Sequence, residues 1–303
     1  MAARLHRAAA FALAAALVVA PPAQAAAAAA VHEPFAHGLL FRLDKPGIPP
    51  SFVFGTLHSG DRRVAAALPK PVADALGGAR TLAVEVRLAD GDVAQFFEAA
   101  QFDDGRRLAD FFDEASLGKI RAALGAARPD DDVLARLKPW AVLLKLGERP
   151  QEGGGETLDR RLVDDAKRRR LAIIGLELPD EQIAAFDAIP LATQVALVRY
   201  VLAHRDTLAR DHDAVIAAWL DRDLERLAHL NAAPGRRHPE IAPHFAELTR
   251  HLIVNRSVQM AHRLYVPLRA GRVFVAVGAL HLYGGNGLLA LLRGQGYRVS
   301  VVY

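Results

Sequence analysis

Five short apolar runs constrain this chain more than any other feature: SFVFG from Ser51, TLAVEV from Thr81, LAIIGL from Leu171, VFVAV from Val273 and YRVSVV from Tyr297. Several are apolar at consecutive rather than alternating positions, the pattern of strands covered on both faces. Longer stretches of helical periodicity separate them. The alternation predicts an α/β fold with a mainly parallel sheet flanked by helices. Residues 39–43 read as an additional edge strand. Two spacers, about residues 88–170 and 180–270, are mostly helical and exceed what a crossover needs. The second is expected to be a large helical insertion that caps one end of the sheet, and the triplet Gly153, Gly154, Gly155 marks a hinge or loop in the first.

Composition narrows the partners. Lys and Arg number 38 against 34 Asp and Glu, a net +4 that is too small an imbalance for a phosphate-binding field, so nucleic acid is not an expected partner. The run KRRR at residues 167–170 ends a helical pattern beside Asp164 and Asp165, which reads as a solvated helix terminus. Cysteine is absent, which removes disulfides, thiolate ligands and cysteine nucleophiles. Arg4 and Arg7 precede an apolar run at residues 8–20 and the triplet Ala23, Gln24, Ala25. That order predicts a secretory signal at residues 1–25, too short in its apolar part to span a bilayer. The remainder, residues 26–303, is expected to be periplasmic or secreted, without stable membrane insertion after cleavage.

Gly-x-x-His occurs at Gly55 to His58, Gly235 to His238 and Gly278 to His281. With 23 glycines and 12 histidines, chance alone supplies roughly one such spacing, so context must decide. Gly235 follows no strand. The other two close β-rich runs, which sets His58 and His281 just beyond strand ends. Glu85 interrupts TLAVEV and Glu177 follows LAIIGL directly. In a parallel sheet these exits share one edge, where open α/β folds place ligands. Two imidazoles and two carboxylates suit a divalent zinc, manganese or cobalt ion. Arg256 lies on a helical face with Leu252, Met260 and Arg263, and is a candidate for a substrate carboxylate or a developing oxyanion. Asp159 is a candidate to orient a ligand histidine. The sequence contains no P-loop, no H-E-x-x-H and no G-x-S-x-G elbow.

The segments FVFGTLHSGD, LAVEV, LKPWAVLLKL, TLDRRL, IIGLELPDEQI, NRSVQMA and FVAVGALHLYGGNGLLALLRGQGYRV, in that order, resemble the TraB/GumN family, related to the Tiki metalloproteases. The resemblance runs from about Leu39 to Val302. It implies an α/β enzyme scaffold, with His58 and His281 at the family's two histidine positions and Glu85 and Glu177 at its strand-end acids. Metal dependence, with manganese or cobalt favoured, is implied by the Tiki members. Arg256 takes the arginine of an Arg-Asn pair, which here reads Arg256, Ser257; a serine is shorter and does not offer the amide's geometry.

The expected function is therefore a periplasmic metal-dependent hydrolase acting on a peptide or small-molecule substrate. His58, His281 and at least one of Glu85 and Glu177 would hold the ion. The other carboxylate would act as general base, and Arg256 would stabilise charge on the attacked carbonyl. Two alternatives stand beside it: an esterase or amidase on the same scaffold, and a non-catalytic protein that binds a peptide or glycan.

Overall fold

Leu40–Lys45 (β1) and Ile48–Thr56 (β2) form an antiparallel hairpin, turned at Gly47, whose φ of +76° suits a residue without a side chain. The computed structural model describes residues 35–66, 68–87, 91–147 and 157–303. The expected signal at residues 1–25 and the glycine triplet lie outside these residues. The remaining strands are Thr81–Val86 (β3), Ala172–Glu177 (β4), Val273–Gly278 (β5) and Arg298–Val301 (β6). They make one six-stranded sheet in the order β4-β3-β5-β2-β1-β6.

Four neighbouring strands, β4, β3, β5 and β2, run parallel, and β1 is antiparallel to both β2 and β6. The fold is thus α/β with a mostly parallel mixed sheet. Residues 39–43 were expected at the edge. They lie one strand further in, because the C-terminal run pairs with them from Phe41↔Val301 to Asp44↔Arg298. The apolar central strands are explained by their cover: Val53, Phe54, Leu82, Ala83 and the Val273, Phe274, Val275 run are all buried.

The helical insertions pack against each other. Trp140, Val142, Phe186, Leu197, Val198 and Phe245 belong to a second hydrophobic core, separate from the one on the sheet. Trp140 stacks on Phe186 with centroids 5.0 Å apart, and its Nε1–H donates to Asp187 Oδ1 at 2.8 Å. Trp140→Ala is expected to cost about 3–5 kcal/mol, through a large cavity and a lost hydrogen bond, measured by chemical denaturation. Among the described residues no single helix is long and apolar enough to cross a membrane. The adjacent pair Pro179–Asp187 and Leu191–Ala203, which would suffice together, is bent by 83°.

One link ties the helices to the strand exits. Trp219, near the end of the Arg205–Leu220 helix, donates its Nε1–H to the Gly55 carbonyl at 3.0 Å. Trp219→Phe keeps most of the packing and strands that buried carbonyl, an expected loss of about 1–2 kcal/mol in an unfolding titration.

Candidate functional site

The two Gly-x-x-His glycines have different physical reasons. A Cβ on Gly55 would sit 2.8 Å from Leu282 Cδ1 and 3.1 Å from Ala279 Cα, so the turn carrying His281 rests directly on the end of β2. A Cβ on Gly278 would sit 3.2 Å from Glu85 Oε1, 3.6 Å from His281 Cδ2 and 3.8 Å from His58 Nε2. Gly278 is therefore the floor of a space walled by three of the candidate residues. Its N–H donates to Glu85 Oε1 at 2.7 Å, which pins the carboxylate between the strands.

Both imidazoles are held from behind. His58 Nδ1 lies 2.8 Å from Asp159 Oδ2, and the other Asp159 oxygen accepts from Thr56 Oγ1 at 2.8 Å. An ionised carboxylate only accepts, so the His58 Nδ1 carries the proton. His281 Nδ1 lies 2.9 Å from Ser257 Oγ, whose single hydroxyl proton goes to the Ile253 carbonyl at 2.8 Å. Ser257 must then accept, and His281 Nδ1–H donates. Each ring consequently turns its Nε2 toward the same atom, Glu85 Oε1, at 3.5 Å from His58 and 3.9 Å from His281.

Arg256 and Ser257 come from the second insertion, so the cap completes the site. The helix segments Ala242–Thr249 and Asn255–Arg263 are joined without a break by a π-helical turn, Arg250–Val254. Such turns shift the phase of the residues that follow and concentrate at functional sites. Arg256 Nε and Nη2 grip Glu177 at 2.9 and 2.6 Å, Nη2 also reaches Glu85 Oε2 at 2.7 Å, and Nη1 donates to Leu252 O at 3.2 Å. Glu177 thus faces Arg256, while Glu85 bridges Arg256 and the two histidines.

Burial acts on every charge here, and the neighbours decide the outcome. It disfavours the ionised Glu85 carboxyl, yet Arg256 and the two histidines prevail and hold its pKa well below the ordinary value. Burial likewise opposes a charged His58, but Asp159 and Glu85 outweigh it and raise the imidazole well above its usual range. His281 has a neutral hydroxyl for a partner, so burial prevails and lowers it to about 4. Burial also pushes Glu177 up, against the guanidinium that grips it. The cluster opens to solvent on one side, with His58 and Asp159 side chains 17% and 27% exposed and Glu177 at 1%.

His58, Glu85, Glu177, His281 and Arg256 are thus brought to one place, with Asp159 behind His58. Among the described residues no group of three or more His, Asp or Glu side chains is arranged to hold a metal ion. The donors face one another directly, and Glu177 contributes none toward the imidazoles. Thr56 and Ser257 were not singled out from sequence. A hydroxyl at the last position of the strand, two residues before His58, was the available signal for Thr56.

The family model described as TraB/PrgY/gumN matches residues 39–301. The chain is 26% identical over 257 residues to the uncharacterized protein YbaP of Shigella flexneri, covering 82% of this chain and 89% of that one. It is 25% identical over the same length to the YbaP protein of Escherichia coli strain K12, with the same coverage. No solved structure matches the chain.

Proposed function

The chain belongs to the TraB/PrgY/gumN family, and from that premise we propose that it is an exported, metal-dependent hydrolase that cleaves peptide-like bonds. One observation carries the reading: two imidazoles, each with its Nδ1–H tied down, turn their Nε2 atoms toward a single carboxylate oxygen at 3.5 and 3.9 Å. A bare nitrogen facing a carboxylate repels it unless a proton or a cation lies between. The donors are of the kind that a borderline divalent ion takes, two nitrogens and one hard oxygen beside the space that Gly278 leaves free, and an ion entering there would have to part the direct imidazole–carboxylate contacts. The charge balance fits as well. Glu85, Glu177 and Asp159 together outnumber the single guanidinium of Arg256.

His58, His281 and Glu85 are the residues that would hold the ion, which when bound supplies a water that ionises near neutral pH and a Lewis acid for the carbonyl. Asp159 and Ser257 orient the two rings, as outer partners of metal-ligating histidines commonly do. Arg256 and the Gly278 N–H keep Glu85 ionised and fixed, the state a ligand carboxylate needs. Glu177 sets the position of Arg256. The substrate approaches from the His58 side, where the cluster meets solvent. Residues 1–25 supply export in this reading, and a mature chain beginning after Ala25 in the envelope fraction is the expected sign of it.

Metal content tests the reading. Purified protein loaded with manganese, cobalt or zinc is expected to retain one of them stoichiometrically, and His58→Ala and His281→Ala each to bind it at least about tenfold more weakly. Unchanged metal content in both variants would end the proposal. A panel of peptides and esters then separates a peptidase from an esterase or amidase. A second reading, capture of a peptide or glycan without turnover, is favoured by the commitment of the Arg256 donors to protein groups. Ligand binding that survives chelation, with no product from any substrate, would select it.

A further inference from the structure

We propose that the sheet edge opposite the histidines docks this protein on an anionic lipid surface. Three adjacent strands begin there, each just after an arginine: Arg80 before β3, Arg170 shortly before β4 and Arg272 before β5. Their backbones are laced together, with Arg80 N–H donating to Arg272 O at 2.8 Å and Ala172 N–H to Arg80 O at 3.0 Å. With strands about 4.8 Å apart, the three starts fall within roughly 10 Å. Arg169, exposed beside Arg170, lengthens the row. Arg80, Arg169, Arg170 and Arg272 form no ion pair among the described residues. Acids on nearby elements are paired elsewhere: Asp164 with Arg160 and Lys167, Asp165 with Arg168, Asp74 with Lys70, and Asp44 with Arg42 and Arg298.

A second, independent observation is conformational. Arg170 and Arg272 have φ of +57° and +55°, left-handed positions that glycine or asparagine fills more easily. A third arginine of this kind, Arg222 at +60°, has a local use, since its guanidinium lies over the Tyr303 ring at 4.6 Å. Among the described residues Arg170 and Arg272 have no ring or carboxylate to hold. A strained backbone that keeps an exposed cation points to selection for the charge.

The surroundings favour a lipid surface. The short helix Tyr265–Ala270 leads directly into Gly271 and Arg272, and its Tyr265 and Val266 are exposed, Val266 at 73%. An aromatic and an aliphatic side chain on the helix that leads into a basic row suit the headgroup boundary. The net charge is only +4, so attraction to an anionic surface has to come from a local row of cations rather than from the molecule as a whole. Docked in this way, the protein would point the histidine edge away from the bilayer, about 20 Å off along the strands. The inference is independent of the hydrolase reading and needs no metal.

The test is co-sedimentation of purified protein with phosphatidylglycerol-containing vesicles and with vesicles of phosphatidylcholine alone. The combined variant Arg80→Gln, Arg170→Asn, Arg272→Asn removes three charges and puts a residue tolerant of left-handed backbone at the two strained positions. Binding to the anionic vesicles, release at high salt and about a hundredfold weaker binding by the variant are expected. The variant's thermal midpoint should hold or rise, which separates loss of docking from loss of fold. Failure of the wild type to bind anionic vesicles, equal binding to both vesicle types, or undiminished binding by the variant would overturn the proposal. So would displacement of the protein from vesicles by an equal charge concentration of duplex DNA.

Discussion

Arg256→Met is expected to destabilise the protein by about 3–5 kcal/mol at neutral pH, the cost of leaving buried carboxylates without their cation. The guanidinium holds Glu177 by two bonds and Glu85 by a third, and all three side chains are at most 12% exposed. Methionine fills much of the same volume, so the loss isolates charge from packing. In the variant both glutamates would be pushed above their ordinary range, and the folded form would bind more protons than the unfolded one. Stability must then fall as pH rises through that range, so the deficit should shrink in mild acid. Urea titrations at neutral pH and near pH 4.5, the ordinary glutamate value, measure both parts. Adding Glu85→Gln and Glu177→Gln should recover much of the loss, because no buried charge is then left unpaired. A neutral-pH loss below 1 kcal/mol, a magnitude usual for exposed pairs, would show that the three groups are not a buried unit.

Gly278→Ala should do the reverse: leave stability nearly intact and disable the site. The Gly278 backbone, at φ −53° and ψ 135°, is one that alanine adopts freely, so any effect comes from the added methyl group. That methyl would lie 3.2 Å from Glu85 Oε1 and 3.8 Å from His58 Nε2, in the space the reactive groups surround. Glu85 would have to move by a few tenths of an ångström, and the volume over the glycine would be lost. On the hydrolase reading, metal affinity and turnover are each expected to fall by about a hundredfold, with a thermal midpoint within a few degrees of wild type. Wild-type metal affinity in this variant would mean that the ion, if any, is held elsewhere.

The meeting of His58, His281, Glu85 and Glu177 was legible because each lies at or just past a strand exit, and parallel strands put their exits on one edge. Glu85 was the least determined from sequence, since alternation along a strand allows either face; the N–H of Gly278 on the neighbouring strand places it. The division of labour between the two glutamates was not legible. It depends on which of them the cap helix reaches first, and that depends on a π turn that no periodicity at 3.6 residues announces. Ser257 shows the same limit. Beside an arginine in the text it looked like a short replacement for an amide, but the helix brings its hydroxyl within 2.9 Å of His281 Nδ1. The sheet order was partly hidden as well. Apolar runs marked the strands, but nothing local said that the C-terminal run would fold back over residues 39–43.

The position of β5 has a consequence for how this chain comes to be folded. It joins two pieces, β3 with β4 on one side and β2 with β1 on the other, yet it is the fifth strand of six in chain order. Nothing upstream can bridge those pieces, so the sheet cannot close until synthesis has passed residue 278. Contacts of such long sequence separation form slowly. The central seam of the sheet is therefore left unfilled until more than nine-tenths of the chain exists, and a chain cut short before β5 would hold two unjoined pairs of strands.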